Sequence, residues 1–334
     1  MTIRFLVNFG LLALPIAITL GILFGLEKHR EATGGPPLFK PDPDPTKPKR
    51  PNDNGITVEQ YCQKSYGIHP ESKGLEFTLN PNQWGVKEGG RGGMCLYVDI
   101  HNNKTYDTEY TAPNWASVWH YPVDDVKAPV HAFPNVMVEG DTFPVRLNTI
   151  EKIEIDFAWT YVAGNTSVKG STYATKSDFD DLVDRKVNAN VAMDMFLDKD
   201  KEKSKVSENA SHEIMVWFAA IGAATQPIGY NGGTSPVATK TLQGVNFELY
   251  VGVNEETKQK VLTWYVKKPV EKFSGDLSPL VNEILSMSNS DYPSPTDYLG
   301  YMAWGTEAYS SDNEFVTFNV TQLAIDVETT SSSS

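Results

Sequence analysis

Ser211–Ile221 reads SHEIMVWFAAI, a carboxylate, Glu213, set inside an apolar, β-prone run. Two-residue alternation sends Glu213, Met215, Trp217 and Ala219 to one face. It sends His212, Ile214, Val216 and Phe218 to the other. A face carrying a Glu, a Met and a Trp in succession is odd for plain core. An unpaired buried carboxylate is costly, and a bare surface Trp is uncommon. The mixture fits a groove that holds a partly apolar, hydroxyl-rich ligand.

Working outward, strand follows strand, punctuated by Gly, Asn, Pro or Ser clusters. The pattern predicts strands over Leu75–Asn80, Cys95–His101, Val130–Pro134, Lys152–Tyr161 and Asn190–Leu197. It predicts more over His212–Ala220, Val245–Val253, Lys260–Lys267, Gly300–Thr306 and Val316–Val327. One helix is expected, Ser278–Met287, with Ser278 as cap, Pro279 in the first turn, and Leu280, Val281, Ile284 and Leu285 as its apolar stripe. Many strands and one outer helix imply an all-β fold, a jelly-roll β-sandwich of two antiparallel sheets with a concave cleft. The charged run Asp198–Glu208 (DKDKEKSKVSE) reads as a solvated loop.

The chain has 334 residues with a formal net charge of −13, so a phosphate backbone would be repelled and a nucleic-acid partner is not expected. A neutral polysaccharide is compatible with that charge. Hydrophobic content of 40% supports a packed core. There is no P-loop, no nucleophile elbow around a Ser and no zinc-ligand spacing among the scattered histidines. Four glycosylation sequons begin at Asn103, Asn165, Asn209 and Asn319.

The N-terminal region is built differently. After a tail of residues 1–4, the uncharged run 5–26 (FLVNFGLLALPIAITLGILFGL) is long enough, at about 1.5 Å per residue, to cross roughly 30 Å of hydrocarbon. It is expected to be an uncleaved signal anchor; were it cleaved, the product would be secreted. Residues 27–55 are a proline-rich stalk of polyproline II character. Residues 56–330 form the globular domain and 331–334 a serine tail.

A second stretch answers the first. Tyr301–Tyr309 (YMAWGTEAY) places Glu307 after a strand-like run, flanked by Trp304 and Tyr309. Two carboxylates on neighbouring strands are what glycoside hydrolysis needs, one protonated to serve the leaving oxygen and one ionised to attack or to activate water.

SHEIMVWFA and WGTEAY resemble the two active-site strands of glycoside hydrolase family 12, jelly-roll endoglucanases and xyloglucanases. Further pieces match in the family's order. They are Asn82-Gln83-Trp84-Gly85, Ala189–Leu197 (ANVAMDMFL), Gln226-Pro227-Ile228-Gly229, Phe247–Gly252 (FELYVG) and Phe273–Leu277 (FSGDL). The resemblance runs from about Tyr61 to Val327. It implies Glu213 as nucleophile, Glu307 as general acid/base and Asp194 as a carboxylate that tunes the nucleophile. It also implies retention of anomeric configuration on β-1,4-glucan, with no metal and no organic cofactor. Trp84, Asn82, Met215, Trp217 and Pro227 are the implied substrate contacts. Asn114-Trp115 and Trp119-His120-Tyr121 are further candidates for cleft aromatics. The family also implies a Cys62–Cys95 disulfide, which, with the sequons, sets the domain on the extracellular or lumenal side. A monomer is expected. The competing readings are a non-catalytic glucan-binding or wall-sensing protein on the same fold, and a transglycosylase.

Overall fold

The structure, a computed structural model, describes residues 55–330 apart from 88, 124–129, 166–174, 224 and 313. The anchor, nearly all of the stalk and the serine tail lie outside the described residues. Among those described, no helix is long and apolar enough to cross a membrane.

Among the described residues sixteen strands follow in order: β1 (Ile56–Tyr61), β2 (Phe77–Asn80), β3 (Gly93–His101), β4 (Trp115–His120), β5 (Asn135–Val138), β6 (Val145–Arg146), β7 (Ile150–Ala163) and β8 (Asn188–Asp198). Then come β9 (His212–Ile221), β10 (Ala238–Leu242), β11 (Val245–Val253), β12 (Lys260–Tyr265), β13 (Lys272–Asp276), β14 (Tyr298–Gly305), β15 (Ala308–Ser310) and β16 (Val316–Thr329). A six-stranded sheet runs β1-β3-β4-β16-β7-β13. A ten-stranded sheet runs β10-β11-β12-β9-β8-β14-β5-β2, with β15 on β8 and β6 on β14. The core between them is aromatic: Trp119, Trp159, Trp264, Trp304, Tyr161 and Phe318 are all fully buried. At about 25 cal/mol per Å² such rings dominate the apolar burial that holds the sheets together.

The jelly-roll sandwich expected from the strand pattern is observed, with one exception to its antiparallel rule. β12 pairs with β9 in parallel, Val261 beside Glu213 and Tyr265 beside Trp217. The chain leaves β9, adds β10 and β11, and returns in β12 running the same way as it left.

Several local expectations shift. The strand placed at Val130–Pro134 forms instead at Asn135–Val138, leaving only an isolated Ala132–Ala308 bridge before it. The expected helix spans Ser278–Ser286 and is not alone, since a shorter one forms at Phe179–Asp184; Ser278 does not cap the former, and Leu277 holds the cap position. The carboxylate of Asp276 accepts the Ser278 N–H at 2.8 Å and the Ser278 hydroxyl at 2.8 Å. The charged run is not wholly solvated. Asp198 is buried and accepts the Ser211 N–H at 3.0 Å, and a one-turn helix, Lys201–Ser204, is capped by Asp200.

Trp115, Trp119 and Tyr121 do not reach the face carrying Glu213. They pack in the core between the sheets, Trp115 and Trp119 from β4 of the six-stranded sheet. The Cys62–Cys95 disulfide forms as expected, tying the end of β1 to β3. Gln83 reinforces that corner: its side chain donates to the Gln63 carbonyl at 2.9 Å and accepts from Met94 N–H at 3.1 Å and the Tyr121 hydroxyl at 2.9 Å.

Candidate active site

The pleat of β9 splits as its sequence predicts, up to one residue. Ile214, Val216 and Phe218 enter the main core. Met215 and Trp217 form a separate small cluster with Ala192 and Val261 on the opposite face of the sheet. Ala219 departs from the expectation. Ala192 stands opposite Trp217 and Val191 opposite Ala219, so Phe218 is an extra residue, a bulge. The bulge turns Ala219 into the core and leaves Ala220 on the Trp217 side.

Register assembles the rest of that face. On β8, Asp194 lies opposite Met215 of β9 and Ala303 of β14, while Phe196 lies opposite Glu213 and Tyr301. Asp194 and Glu213 are therefore diagonal neighbours on one surface. β14 ends at Gly305, a position that admits only glycine, since a Cβ there would run into the Pro134 carbonyl and the Asn135 backbone. That close approach carries the chain through Thr306 to Glu307 beside Asn190 of β8.

Glu307 is held on several sides. Its backbone N–H donates to Asn190 Oδ1 at 2.8 Å, and its carbonyl accepts the Asn190 backbone N–H at 3.2 Å. The Asn190 side-chain Nδ2 donates to Glu307 Oε2, as does the Tyr309 hydroxyl at 3.1 Å. Glu213 differs: among the described residues no group hydrogen-bonds its carboxyl. Asp194 is 5% exposed and its Oδ1 has no partner.

The three carboxyls perturb one another. Burial, with the charge of Glu307 beside it, pushes Glu213 up to about 8. Burial pushes Glu307 up to about 7, against the opposing pull of the Tyr309 and Asn190 donors. Asp194 is raised well above the usual carboxylate range by burial first, then by Glu213 and Glu307. A face that keeps protons near neutrality on carboxyl groups can both give and take them.

The other predicted residues are distributed unevenly. Trp84 is 55% exposed, a large free ring on the loop after β2. Asn82 takes a left-handed conformation (φ 42°), which Asn tolerates, and its carbonyl accepts the Phe133 N–H at 2.9 Å. Met215 and Trp217 lie on the Glu213 face but are closely covered, Trp217 being 3% exposed with its indole N–H on the Met215 sulfur at 3.4 Å. Pro227 is buried in a turn whose Gly229 (φ 90°) packs against the Val251 backbone of β11. Asn103, Asn165 and Asn209 are exposed, whereas Asn319 is buried mid-strand on β16, leaving no room for a glycan on the folded protein. His212 bonds Ser211 Oγ at 2.9 Å and the Asp291 carbonyl at 3.3 Å, a structural role.

Asn190 and Tyr309 were not among the residues picked out from sequence. The signal for Asn190 was present, since it lies four positions before Asp194 and so, at period two, on the same face.

Comparison with known proteins agrees with this architecture. The model for "Glycosyl hydrolase family 12" matches residues 168–328. A xyloglucan-specific endo-beta-1,4-glucanase A of Aspergillus aculeatus is 31% identical over 254 residues, covering 76% of this chain and 86% of the relative. Its counterpart from Aspergillus niger is 28% identical over the same shares. The crystal structure of Trichoderma harzianum endoglucanase 3 superimposes with a TM-score of 0.60 at 21% identity, covering 81% of this chain and 98% of that one. With a sandwich of the same fold, a clustered carboxyl trio and a relative this similar over most of its length, the chain belongs to glycosyl hydrolase family 12.

Proposed function

We propose that this protein is a retaining endo-β-1,4-glucanase that takes xyloglucan as a substrate, with Glu213 as nucleophile and Glu307 as general acid/base. It is a glycoside hydrolase acting within β-glucan polymers. The observation that carries the assignment of roles is the asymmetry between the two carboxyls. Glu307 is oriented by donors before any sugar arrives, while Glu213, buried near Asp194, has no hydrogen-bond partner among the described residues.

In the first step a Glu213 oxygen attacks the anomeric carbon. The C1–O4 bond breaks with its electron pair going to O4, which takes the proton of Glu307. In the second, Glu307 removes a proton from water as the water oxygen bonds C1, and the C1–Glu213 ester breaks to restore the carboxylate. Glu213 must be ionised to attack, although in the free site its pKa stands above that of Glu307. Sugar hydroxyls that donate to Glu213, together with a protonated Asp194, lower it when substrate binds. Trp84 offers a flat apolar ring to a glucose face. A pure binding module is the poorer reading, because three clustered carboxyls cost stability that binding alone does not require.

We further propose that residues 5–26 anchor the domain outside a membrane and that it acts as a monomer. The disulfide and the three exposed sequon asparagines support the first, and a carboxyl trio complete within one chain supports the second.

The test is hydrolysis of xyloglucan, barley β-glucan and carboxymethylcellulose by the wild type and by Glu213→Gln and Glu307→Gln. Viscosity should fall well before reducing ends accumulate, and the first product should be the β-anomer by proton NMR. An α-anomer, or near-normal hydrolysis by either variant, would sink the assignment.

A further inference from the structure

Resting on Glu307 as the general acid/base, we propose that Asn190 and Tyr309 decide which oxygen of that carboxyl carries the catalytic proton, reserving Oε1 for the substrate. The two ends of the Asn190 amide cannot exchange roles. The Glu307 backbone N–H points at Oδ1 from 2.8 Å, so Oδ1 must be the acceptor and Nδ2 must face the carboxyl. Tyr309 donates to that same oxygen, Oε2, at 3.1 Å. Its phenol stays protonated, because burial and the charge of Glu307 raise its pKa.

An oxygen already accepting two donors is a poor seat for a proton, since a third hydrogen would meet the other two head-on. The neutral carboxyl therefore holds its proton on Oε1, which has no partner among the described residues. In the ionised form the lone pairs of Oε2 are engaged and Oε1 is the free base. One oxygen thus donates to the departing O4 and later accepts from water. Proton transfer in both steps then needs no rotation of the carboxyl.

Asn190 is itself immobilised from behind. It is fully buried, and its carbonyl accepts the Thr306 hydroxyl. Thr306 Oγ1 lies 3.2 Å from the Tyr161 hydroxyl, which accepts the Trp119 indole N–H at 2.8 Å. The backbone that carries the Asn190 side chain is therefore tied across the core to the other sheet. A side chain serving only to tie Glu307 to β8 would need the Oδ1 acceptor and the backbone bonds, not the donor aimed at Oε2.

Asn190→Asp separates the two roles, because it keeps an acceptor for the Glu307 N–H and removes the donor. The new carboxyl would share a proton with Oε2, drawing it away from Oε1. The other ionisable groups facing Glu307, namely Glu213 on β9, Asp194 on β8 and Tyr309 on β15, remain. The readout is kcat/KM, which reports glycosylation, on barley β-glucan and on 2,4-dinitrophenyl β-cellotrioside, whose leaving group departs without protonation. We expect Asn190→Asp to lose about 10- to 100-fold on the polymer and less than about 3-fold on the aryl glycoside. Tyr309→Phe should show the same split at several-fold.

Glu307→Gln, run alongside, should show the largest split. If it shows none, the reading of Glu307 falls and this inference with it. If it shows the split while Asn190→Asp and Tyr309→Phe, at unchanged melting temperature, lose activity equally on both substrates, only the placement of the proton is overturned.

Discussion

Glu213 and Glu307 share one face of one sheet and both hold protons more tightly than a free glutamate, yet their surroundings differ in kind. Glu307 is ringed by donors: an amide, a phenol and a backbone bonded on both sides. Glu213 has a thioether and an indole on its own strand, and diagonally across from it a carboxyl whose Oδ1 has no partner among the described residues. The contrast separates a group whose direction is fixed by the fold from one whose charge state is left to the ligand. Preorganisation is spent where a proton must be aimed, and the attacking group is left to be activated on binding.

The sharpest way to break that comparison is to remove each carboxyl and supply azide. With 2,4-dinitrophenyl β-cellotrioside, Glu307→Ala should yield a β-glycosyl azide, formed on the intact covalent intermediate. Glu213→Ala should yield the α-azide, formed by direct displacement. On polymer without azide, Glu213→Gln should lose roughly 10⁴-fold or more in kcat, and Glu307→Gln about 10²- to 10⁴-fold. Swapped azide anomers would exchange the two roles.

Next in size is an effect on stability. Glu213 rises from an ordinary 4.5 to about 8 on folding, and Glu307 to about 7, so the folded state binds these protons more tightly than the unfolded chain. Their contribution is complete below about pH 4.5 and is lost as pH climbs through about 7 and 8. Denaturant melts from pH 5 to 9 should show wild type weakening with pH. Glu213→Gln, which cannot ionise, should weaken less, the gap changing by on the order of 4 kcal/mol. Parallel curves would mean that Glu213 is not the buried acid described above.

A smaller effect concerns Asp194. Asp194→Asn keeps a side chain of the same shape that can donate an N–H to Glu213 once substrate is bound, whereas Asp194→Ala leaves a gap. Losses in kcat of about 10-fold and about 100-fold respectively are expected. Equal losses would remove the donor from the account. Smallest is Trp84→Ala, expected to raise KM for polymer about 10-fold with kcat nearly unchanged, as loss of uniform binding does. A fall in kcat alone would place Trp84 at the reacting sugar.

Much of this architecture was legible because alternation in β9 and β8 is written in residue type: Ile214, Val216, Met193 and Met195 inward, Glu213, Met215 and Asp194 outward. The register that places Asp194 opposite Met215 is a property of paired strands and is invisible in either alone. β4 was missed because a short strand carrying two tryptophans reads equally well as cleft or core, and only its position between β3 and β16 decides for core. The shift at Ala219 was hidden because a bulge at Phe218 leaves no compositional mark. Ser278 was misjudged as a cap because the better donor-acceptor geometry belongs to Asp276, two residues earlier. The face of Asn190 was readable, but its pairing with Glu307 was not, since the two are 117 positions apart.

β16 lies in the middle of its sheet, paired with β4 on one side and β7 on the other. As the chain is synthesised, β4 and β7 can form early, but each waits with an open edge for a strand more than 150 positions later. Open edges invite pairing with other chains, and contacts this distant in sequence form slowly. A nascent enzyme is therefore at its most aggregation-prone until residue 329 has emerged, and a shortened chain lacking β16 would lose the centre of a sheet rather than its rim.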